Sequence, residues 1–211
     1  MKGFFLTIEG VDGAGKSSHI ERIVSCFEAC KYDIVNSREP GGTPLAESLR
    51  DLLLTQDMSV ETELLLMFAA RQEHINKLIK PALAAGKAVI CDRFTDSSFA
   101  YQGGGRQVEM AKIQSLADLV HPDLRPDLTL LFDLPLEVAR ARMVQERQLD
   151  RFEQEQADFF ERVRATYLER AHAEPERFEI IDSSQPKDLV SEQVCQVIKK
   201  RLQAHLQFQQ V

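Results

Sequence analysis

The chain has 211 residues, of which 44% are apolar and 28% are charged, a composition that is typical of one globular domain of ordinary size. With 26 basic and 33 acidic side chains its formal net charge is −7, which argues against nucleic acid or an anionic membrane as its main partner. The first residues predict no signal peptide, and no apolar run is long enough to span a bilayer, so we expect a cytoplasmic protein.

Apolar segments that alternate with helical patterns predict an α/β fold. Five segments have the nearly continuous apolar character of strands buried on both faces: 3–8, 32–37, 88–92, 128–133 and 178–182. Apolar residues at helical spacing predict helices at 16–30, 61–85, 153–172 and 187–206. This alternation predicts a five-stranded parallel sheet flanked by helices on both faces, in a single domain over residues 1–211. In such a sheet, ligands bind beyond the carboxyl ends of the strands.

The first strand leads into a Gly-x-x-x-x-Gly-Lys-Ser pattern at 10–17, in the strand–loop–helix context of a phosphate-binding loop. Its glycines let backbone N–H groups converge on an anion, while Lys16 supplies positive charge and Ser17 a hydroxyl for Mg²⁺. A glycine-rich turn without a ligand would need neither side chain. The pattern therefore predicts a bound nucleoside triphosphate. The expected ATP-binding residues of the loop are Gly10, Val11, Asp12, Gly13, Ala14, Gly15, Lys16, Ser17 and Ser18.

Two further arginines lie where a second ligand would bind. Arg38 follows the second strand and precedes a Pro-Gly-Gly loop, where it would hold a substrate phosphate or simply be an exposed arginine before a turn.

Phe68 and Arg71 are one helical turn apart and share a face. Phe68 alone fits a core position as well as a platform for a base. Arg71 needs a buried partner, for which a base carbonyl would serve.

The third strand ends at Asp92-Arg93, a pair suited to a metal ion and a phosphate. Asp92 would hold Mg²⁺ directly or through water, and the Arg93 guanidinium would bind a phosphate. A helix after Arg93 would place Ser97 and Tyr101 on the same face as Arg93, with Gln102 beside them. The alternative is a solvated helix start with Tyr101 in the core. The phosphate loop nearby favours the functional interpretation.

A polar segment at about 142–153 predicts a mobile surface lid. It carries Arg142, Arg147 and Arg151, which would close over a triphosphate and neutralise charge during transfer. A solvated charged loop is the alternative. The cysteines Cys26, Cys30, Cys91 and Cys195 lack the spacing of a metal site or redox pair, so we expect reduced structural thiols.

In order and together, these motifs resemble those of the thymidylate kinase family. The resemblance covers nearly the whole chain and rests on the phosphate loop and on residues 38–43, 68–71, 92–94, 97–103 and 149–153. It implies a P-loop nucleoside-monophosphate-kinase fold and phosphoryl transfer from ATP to dTMP, giving dTDP and ADP for dTTP synthesis, with Mg²⁺. It also implies a homodimer, for which the apolar 61–85 helix is the expected surface.

The resemblance also implies roles for residues that bind the acceptor. Arg38 and Arg93 would bind its phosphate, Asp12 would contact the deoxyribose 3′-hydroxyl, and Tyr101 would crowd the 2′ position and disfavour ribonucleotides. Residues 182–184, after the last strand, would lie near the adenine.

The base of the acceptor has its own implied pocket. Phe68 would stack on thymine, and Arg71 would donate to a base carbonyl. Ser97 or Ser98, together with Gln102, would complete the pocket. Ser17 and Asp92 are the residues expected at the metal ion.

The phosphate loop departs from one branch of this family, in which an arginine lies between the glycines. Here that position is Gly13, so the charge must come from the lid, as in the bacterial-type branch. Residues 143–146 are less basic than many lids of that branch. We favour Arg147 over Arg142 for the contact with the transferring phosphoryl group.

Two other functions remain open from the residues alone. One is a kinase of the same fold that acts on a deoxynucleoside or another monophosphate, and the other is a nucleotide-binding switch without kinase activity. The pair Arg38 and Arg93 favours a monophosphate acceptor. We predict an ATP-dependent dTMP kinase without nucleic-acid or membrane partners. Its expected catalytic residues are Lys16, Asp12, Arg93, Arg147 and Arg151.

Overall fold

A computed structural model of the chain, which describes residues 3–143, 152 and 155–207, contains one five-stranded sheet. Its strands are β1 (Phe4–Glu9), β2 (Ile34–Arg38), β3 (Ala88–Asp92), β4 (Leu128–Asp133) and β5 (Phe178–Asp182). Their order across the sheet is β2-β3-β1-β4-β5, and every adjacent pair is parallel. The predicted fold class is therefore confirmed. The predicted strand segments coincide with these five strands to within two residues.

Helices connect the strands. They are α1 (Ile20–Ala29), α2 (Pro44–Thr55), α3 (Val60–His74), α4 (Lys80–Ala84), α5 (Thr95–Ser98), α6 (Met110–Val120), α7 (Leu136–Met143), α8 (Ala157–Ala173) and α9 (Lys187–Gln207). A 3₁₀ turn, Lys16–His19, precedes α1, and π-helical turns, Ile75–Ile79 and Phe99–Gly105, follow α3 and α5. None of the helices described is long and apolar enough to cross a membrane. The sequence predicted neither α2, α6 nor α7.

The two faces of the sheet are covered by different helices. Phe4, Leu6 and Ile8 of β1 belong to the larger hydrophobic cluster, which includes residues of α1, α8 and α9. Phe5 points to the opposite face and packs in a second cluster, which includes Ile75 of the first π-helical turn. Because adjacent side chains of β1 are buried on opposite faces, the strand is apolar almost throughout.

Two of the cysteines are paired. Cys26 of α1 and Cys195 of α9 form a disulfide, with their Cα atoms 6.0 Å apart and a sequence separation of 169 residues. The expectation that all thiols are reduced is therefore wrong for this pair. The two helices pack side by side, a contact that no local spacing pattern reveals. Cys30 and Cys91 carry free thiols, and Cys91 is buried within β3.

Candidate active site

A cavity of about 780 Å³ opens beyond the carboxyl ends of the strands, within the size range of small-molecule sites. Most of the predicted site residues line it: Asp12, Gly13, Ala14, Gly15, Lys16, Ser17, Ser18, Arg38, Arg71, Asp92, Arg93, Ser97, Ser98, Tyr101, Gln102 and Arg142. Gly10 and Val11, at the start of the loop, are buried, and Phe68 lies in the hydrophobic core. Arg147 and Arg151 fall outside the described residues.

The phosphate loop has the backbone that its glycines permit. Gly10 has φ +140°, and a Cβ there would collide with the carbonyl oxygen of Phe132, so the loop cannot accept a larger residue at this point. The buried ammonium of Lys16 donates to the carbonyl oxygens of Gly10 at 3.1 Å and Val11 at 3.3 Å. Burial, together with the charge of Arg93, lowers the pKa of Lys16. An anion in the loop would relieve both effects.

Hydrogen bonds of Arg93 connect the phosphate loop to two tyrosine side chains. Its guanidinium donates to Asp12 Oδ1 at 2.7 Å, to the Tyr101 hydroxyl at 2.9 Å and to the Tyr167 hydroxyl at 3.1 Å. Tyr101 in turn donates to Asp12 Oδ2 at 2.7 Å. Although burial opposes its charge, the cations Arg93 and Lys16 lower the pKa of Asp12 to about 2. The loop carboxylate is therefore ionised and fixed in place.

The helical spacing after Arg93 is confirmed. The Arg93 guanidinium reaches Ser97 Oγ at 3.3 Å as well as Tyr101, one and two turns further along α5 and the second π-helical turn. Arg93 itself adopts φ +69°, in the left-handed region that favours glycine. Its backbone N–H donates to the Ile8 carbonyl oxygen at 2.9 Å, and its side chain lines the cavity.

Glu9, at the end of β1, is a site residue that the sequence did not predict. It is fully buried and accepts from the backbone N–H of Phe94 at 2.7 Å, from Ser97 Oγ at 2.6 Å and from the Tyr167 hydroxyl at 2.9 Å. Burial, together with the Asp96 carboxylate, raises the pKa of Glu9 to about 7. Glu9 and Arg93 thus both hydrogen-bond to Ser97 and to Tyr167.

The raised pKa of Glu9 makes the stability of the protein depend on pH. The pKa of Glu9 rises from 4.5 to about 7 on folding, so its contribution to stability is complete below pH 4.5 and is lost as pH rises to about 7. Between these limits, the unfolding free energy of the wild type is expected to fall by about 1–3 kcal/mol relative to Glu9→Gln. Urea denaturation at several pH values measures it. Asp96 titrates in both proteins, and identical pH profiles would contradict the assignment.

The predicted buried partner of Arg71 is a protein carboxylate. Arg71 donates to Glu39 Oε2 at 2.7 Å, to Ser98 Oγ at 3.0 Å and to the Phe94 carbonyl at 3.0 Å. Glu39 also contacts His74 Nδ1 at 2.9 Å. These three bonds leave further N–H donors on the Arg71 guanidinium. Since Arg71 also lines the cavity, it is fixed in orientation and still able to bind a ligand.

Phe68 supports this arginine from the core. Its ring is 2% exposed and packs with Leu64 and Ile113, and the Arg71 guanidinium lies 4.7 Å from the ring centroid. The cavity wall at this turn of α3 is formed by Met67 instead. The nearby Gln102 amide lines the cavity and donates to the buried Glu63 at 2.8 Å.

The two ends of the cavity carry the remaining arginines. Arg38, half exposed, donates to Glu47 Oε2 of α2 at 2.9 Å. At the other end Arg142 of α7 donates to the carbonyl of Ser183 at 3.1 Å, beside the phosphate loop at Gly15. Ser183 lies in the segment predicted to be near the adenine. The lid arginine and the adenine segment therefore meet.

Asp92 and Ser17 suit a divalent cation. Asp92 Oδ1 is buried without a hydrogen-bond partner among the residues described, although the carboxyl group lines the cavity opposite the loop. A buried oxygen of this kind is costly unless a ligand satisfies it. Ser17 offers a hydroxyl on the same cavity surface. Oxygen donors are the ligands that Mg²⁺ prefers, so the pair fits this ion.

Comparison with known proteins decides the family. The sequence model described as thymidylate kinase matches residues 8–194. The chain belongs to the thymidylate kinase family. A thymidylate kinase of Methylobacillus flagellatus is 57% identical over 95% of this chain and 98% of its own length, and one of Bordetella pertussis is 55% identical over 94% and 96%. The crystal structure of thymidylate kinase from Ehrlichia chaffeensis superposes with a TM-score of 0.75 at 35% identity, covering 94% of this chain and 99% of that one.

As a member of this family, the chain is an ATP-dependent enzyme that phosphorylates dTMP to dTDP, which confirms the predicted activity and the resemblance. The structure adds supporting residues that the motifs had not identified as part of the site. The residues whose hydrogen bonds fix the predicted side chains in position are Glu9, Glu39 and Tyr167. Glu39 was within a noted motif, whereas Tyr167 carried no signal beyond its helical spacing.

Proposed function

We propose that ATP binds with its phosphates on the loop at Lys16, and that dTMP binds with its phosphate at Arg93 and its base at Arg71. The observation that carries this arrangement is that one continuous cavity is lined by the phosphate loop and by both arginines. Arg93 is tied to Asp12 of the loop at 2.7 Å, so the acceptor phosphate would lie next to the donor. In-line transfer requires this proximity.

The residues contribute positioning and charge, since phosphoryl transfer needs little covalent chemistry from the enzyme. Lys16 would neutralise the outer phosphates of ATP, and Arg93 the acceptor phosphate. Tyr101, held by Asp12, would lie against the sugar. Ser17 and Asp92 would hold Mg²⁺, which when bound shields the charge between the phosphates. No protein base is required, because the acceptor is already an anion.

The metal role of Asp92 has a direct test. Asp92→Asn keeps the shape but removes the charge, so the Mg²⁺ concentration for half-maximal activity is expected to rise about tenfold. Magnesium titration at saturating ATP and dTMP measures it. The matched control is Asp118→Asn, in the exposed part of α6. A half-maximal concentration that equals that of the wild type would contradict a metal role.

The function itself is tested by ADP release from ATP and Mg²⁺ with dTMP, dUMP, dCMP, dGMP, thymidine or no acceptor. Turnover is expected to depend strongly on dTMP. One methyl group separates dTMP from dUMP and is worth about 1–3 kcal/mol, so dUMP is expected to be a poorer but real substrate. Turnover with another acceptor would discard the proposed base pocket, and acceptor-independent hydrolysis would favour a switch.

The proposed homodimer has support in the distribution of exposed apolar side chains. Helix α2 packs against α3, and α3 against α6, and together they carry five exposed large hydrophobic residues. These residues are Leu45, Leu52, Leu65, Met110 and Leu119. We propose that a second copy of the chain covers this surface, since monomers rarely expose large apolar patches.

Several expectations stay predictions. The single-domain organisation and cytoplasmic location come from the sequence, as do stacking of Phe68 on thymine and phosphate binding by Arg38. The lid at 142–153, with Arg147 and Arg151, lies largely outside the described residues. We propose that these arginines complete the charge around the transferring phosphoryl group.

A further inference from the structure

Glu63 is a buried acidic residue beside the base pocket that the mechanism does not use. It lies in the first turns of α3 and is 1% exposed. Its Oε1 accepts a hydrogen bond of 2.8 Å from Nε2 of Gln102, which is equally buried. Gln102 also lines the cavity, so its side chain lies between Glu63 and the ligand space.

The chemistry of Glu63 fixes which way the Gln102 amide points. An ionised carboxylate accepts hydrogen bonds and has none to donate, so it must face the NH₂ group of the amide. Arg106 reinforces this state, since its Nη2 lies 3.5 Å from Glu63 Oε2. One N–H of the amide is then used by Glu63, and the carbonyl oxygen is the acceptor that the amide still offers to the cavity. A neutral partner such as glutamine would permit either orientation.

Arg106 is itself held rigidly. It pairs with Glu155, and its guanidinium lies 5.2 Å from the ring centroid of Phe159 and 5.6 Å from that of Phe152. Phe152 lines the cavity next to Tyr101. Glu63 therefore lies between the Arg106 guanidinium and the Gln102 amide, and both groups are fixed in position.

We propose that Glu63 is a specificity-determining positioning residue, which holds the Gln102 carbonyl toward the base and thereby excludes cytosine. The proposal rests on the proposed placement of dTMP. Thymine and uracil present an N3–H donor beside a C4 carbonyl, whereas cytosine presents an N3 acceptor beside an amino group. The Gln102 carbonyl would accept from N3–H while Arg71 donates to the C4 carbonyl. Cytosine would place acceptor against acceptor and donor against donor.

The expected loss of discrimination between dTMP and dCMP is large because the polar groups involved are buried. Mismatched polar groups in a closed site are far costlier than a missing methyl group, because each loses its water without gaining a partner. Glu63→Gln lets the amide turn and donate to the N3 atom of cytosine. We expect the ratio of kcat/KM for dTMP to that for dCMP to fall about tenfold to hundredfold. The ratio of dTMP to dUMP is expected to stay constant, since both bases share this edge.

The experiment compares kcat and KM for dTMP, dUMP, dCMP and ATP in the wild type, in Glu63→Gln and in the control Glu61→Gln, an exposed residue of the same helix. The change is expected in the KM of the acceptors, with the KM of ATP unaffected. Glu63→Gln is also made in a Gln102→Met background. If Glu63 acts through the amide, it has no further effect there on the dTMP to dCMP ratio, whereas a general packing defect would lower activity in both backgrounds.

Thermal denaturation separates folding from specificity. If Glu63→Gln does not fold, Glu63→Asp keeps the charge opposite Arg106 but withdraws the acceptor from the amide, and the same loss of discrimination is expected. A folded variant that discriminates like the wild type would overturn the proposal. A wild type without dTMP-dependent turnover would instead overturn the proposed function, so the two failures are distinct.

Discussion

Lys16→Ala is expected to lower kcat by at least about 10³-fold while the protein stays folded. The ammonium lies against the loop backbone, where it contacts the Gly10 and Val11 carbonyls at 3.1 and 3.3 Å. Burial lowers its pKa, so the fold holds this charge at a cost and does not depend on it for stability. Steady-state kinetics and thermal denaturation of the same preparation measure both effects.

The control for this variant is Lys199→Ala, an exposed lysine of α9. It removes the same side chain far from the loop and is expected to leave kcat and the melting temperature unchanged. A kcat for Lys16→Ala within tenfold of the wild type would mean that Lys16 does not act on the transferring phosphates. A large drop in melting temperature would mean that the lysine has a structural role instead.

Arg93→Lys is expected to lower kcat/KM for dTMP by about 10²–10³-fold, although the charge is retained. The guanidinium bonds to Asp12, Tyr101 and Tyr167 at once, a forked geometry that one ammonium cannot reproduce. Both residues have the same backbone cost at φ +69°, so the substitution isolates the side chain. Initial rates with dTMP and ATP varied separately measure the effect.

Arg22→Lys, in the exposed face of α1, is the matched control and is expected to behave as the wild type. The dTMP parameters of Arg93→Lys are expected to change more than the KM of ATP, because we propose that Arg93 binds the acceptor phosphate. An equal effect on both substrates would show that Arg93 shapes the whole loop through Asp12. No effect on either would contradict its assignment.

Most of the sheet was predictable because β1, β3 and β4 are buried along nearly their whole length, and continuous apolar runs such as that of β1 have few other interpretations. Helices α2 and α6 were missed although each buries an apolar face, at Ala46 and Leu53 in α2 and at Ile113 and Ala117 in α6. Only the Thr43 cap and Pro44 marked the start of α2.

The site was predictable where spacing along one element carries the geometry. Ser97 and Tyr101 lie one turn apart in the helical run that begins at Thr95, and Arg93, just before that run, reaches both. The contacts of Glu9 and the disulfide of Cys26 could not be found this way. Glu9 meets Tyr167 across 158 residues, and Cys26 meets Cys195 across 169, distances that only the packed fold closes.

The strand order has a consequence for how the chain is made. β1, which carries the phosphate loop, is the middle strand, and its two neighbours, β3 and β4, begin only at residues 88 and 128. A ribosome adds roughly 5–20 residues each second, so the first strand emerges several seconds before either neighbour exists. A nascent chain that ends between β3 and β4 therefore has its central strand paired along one edge only.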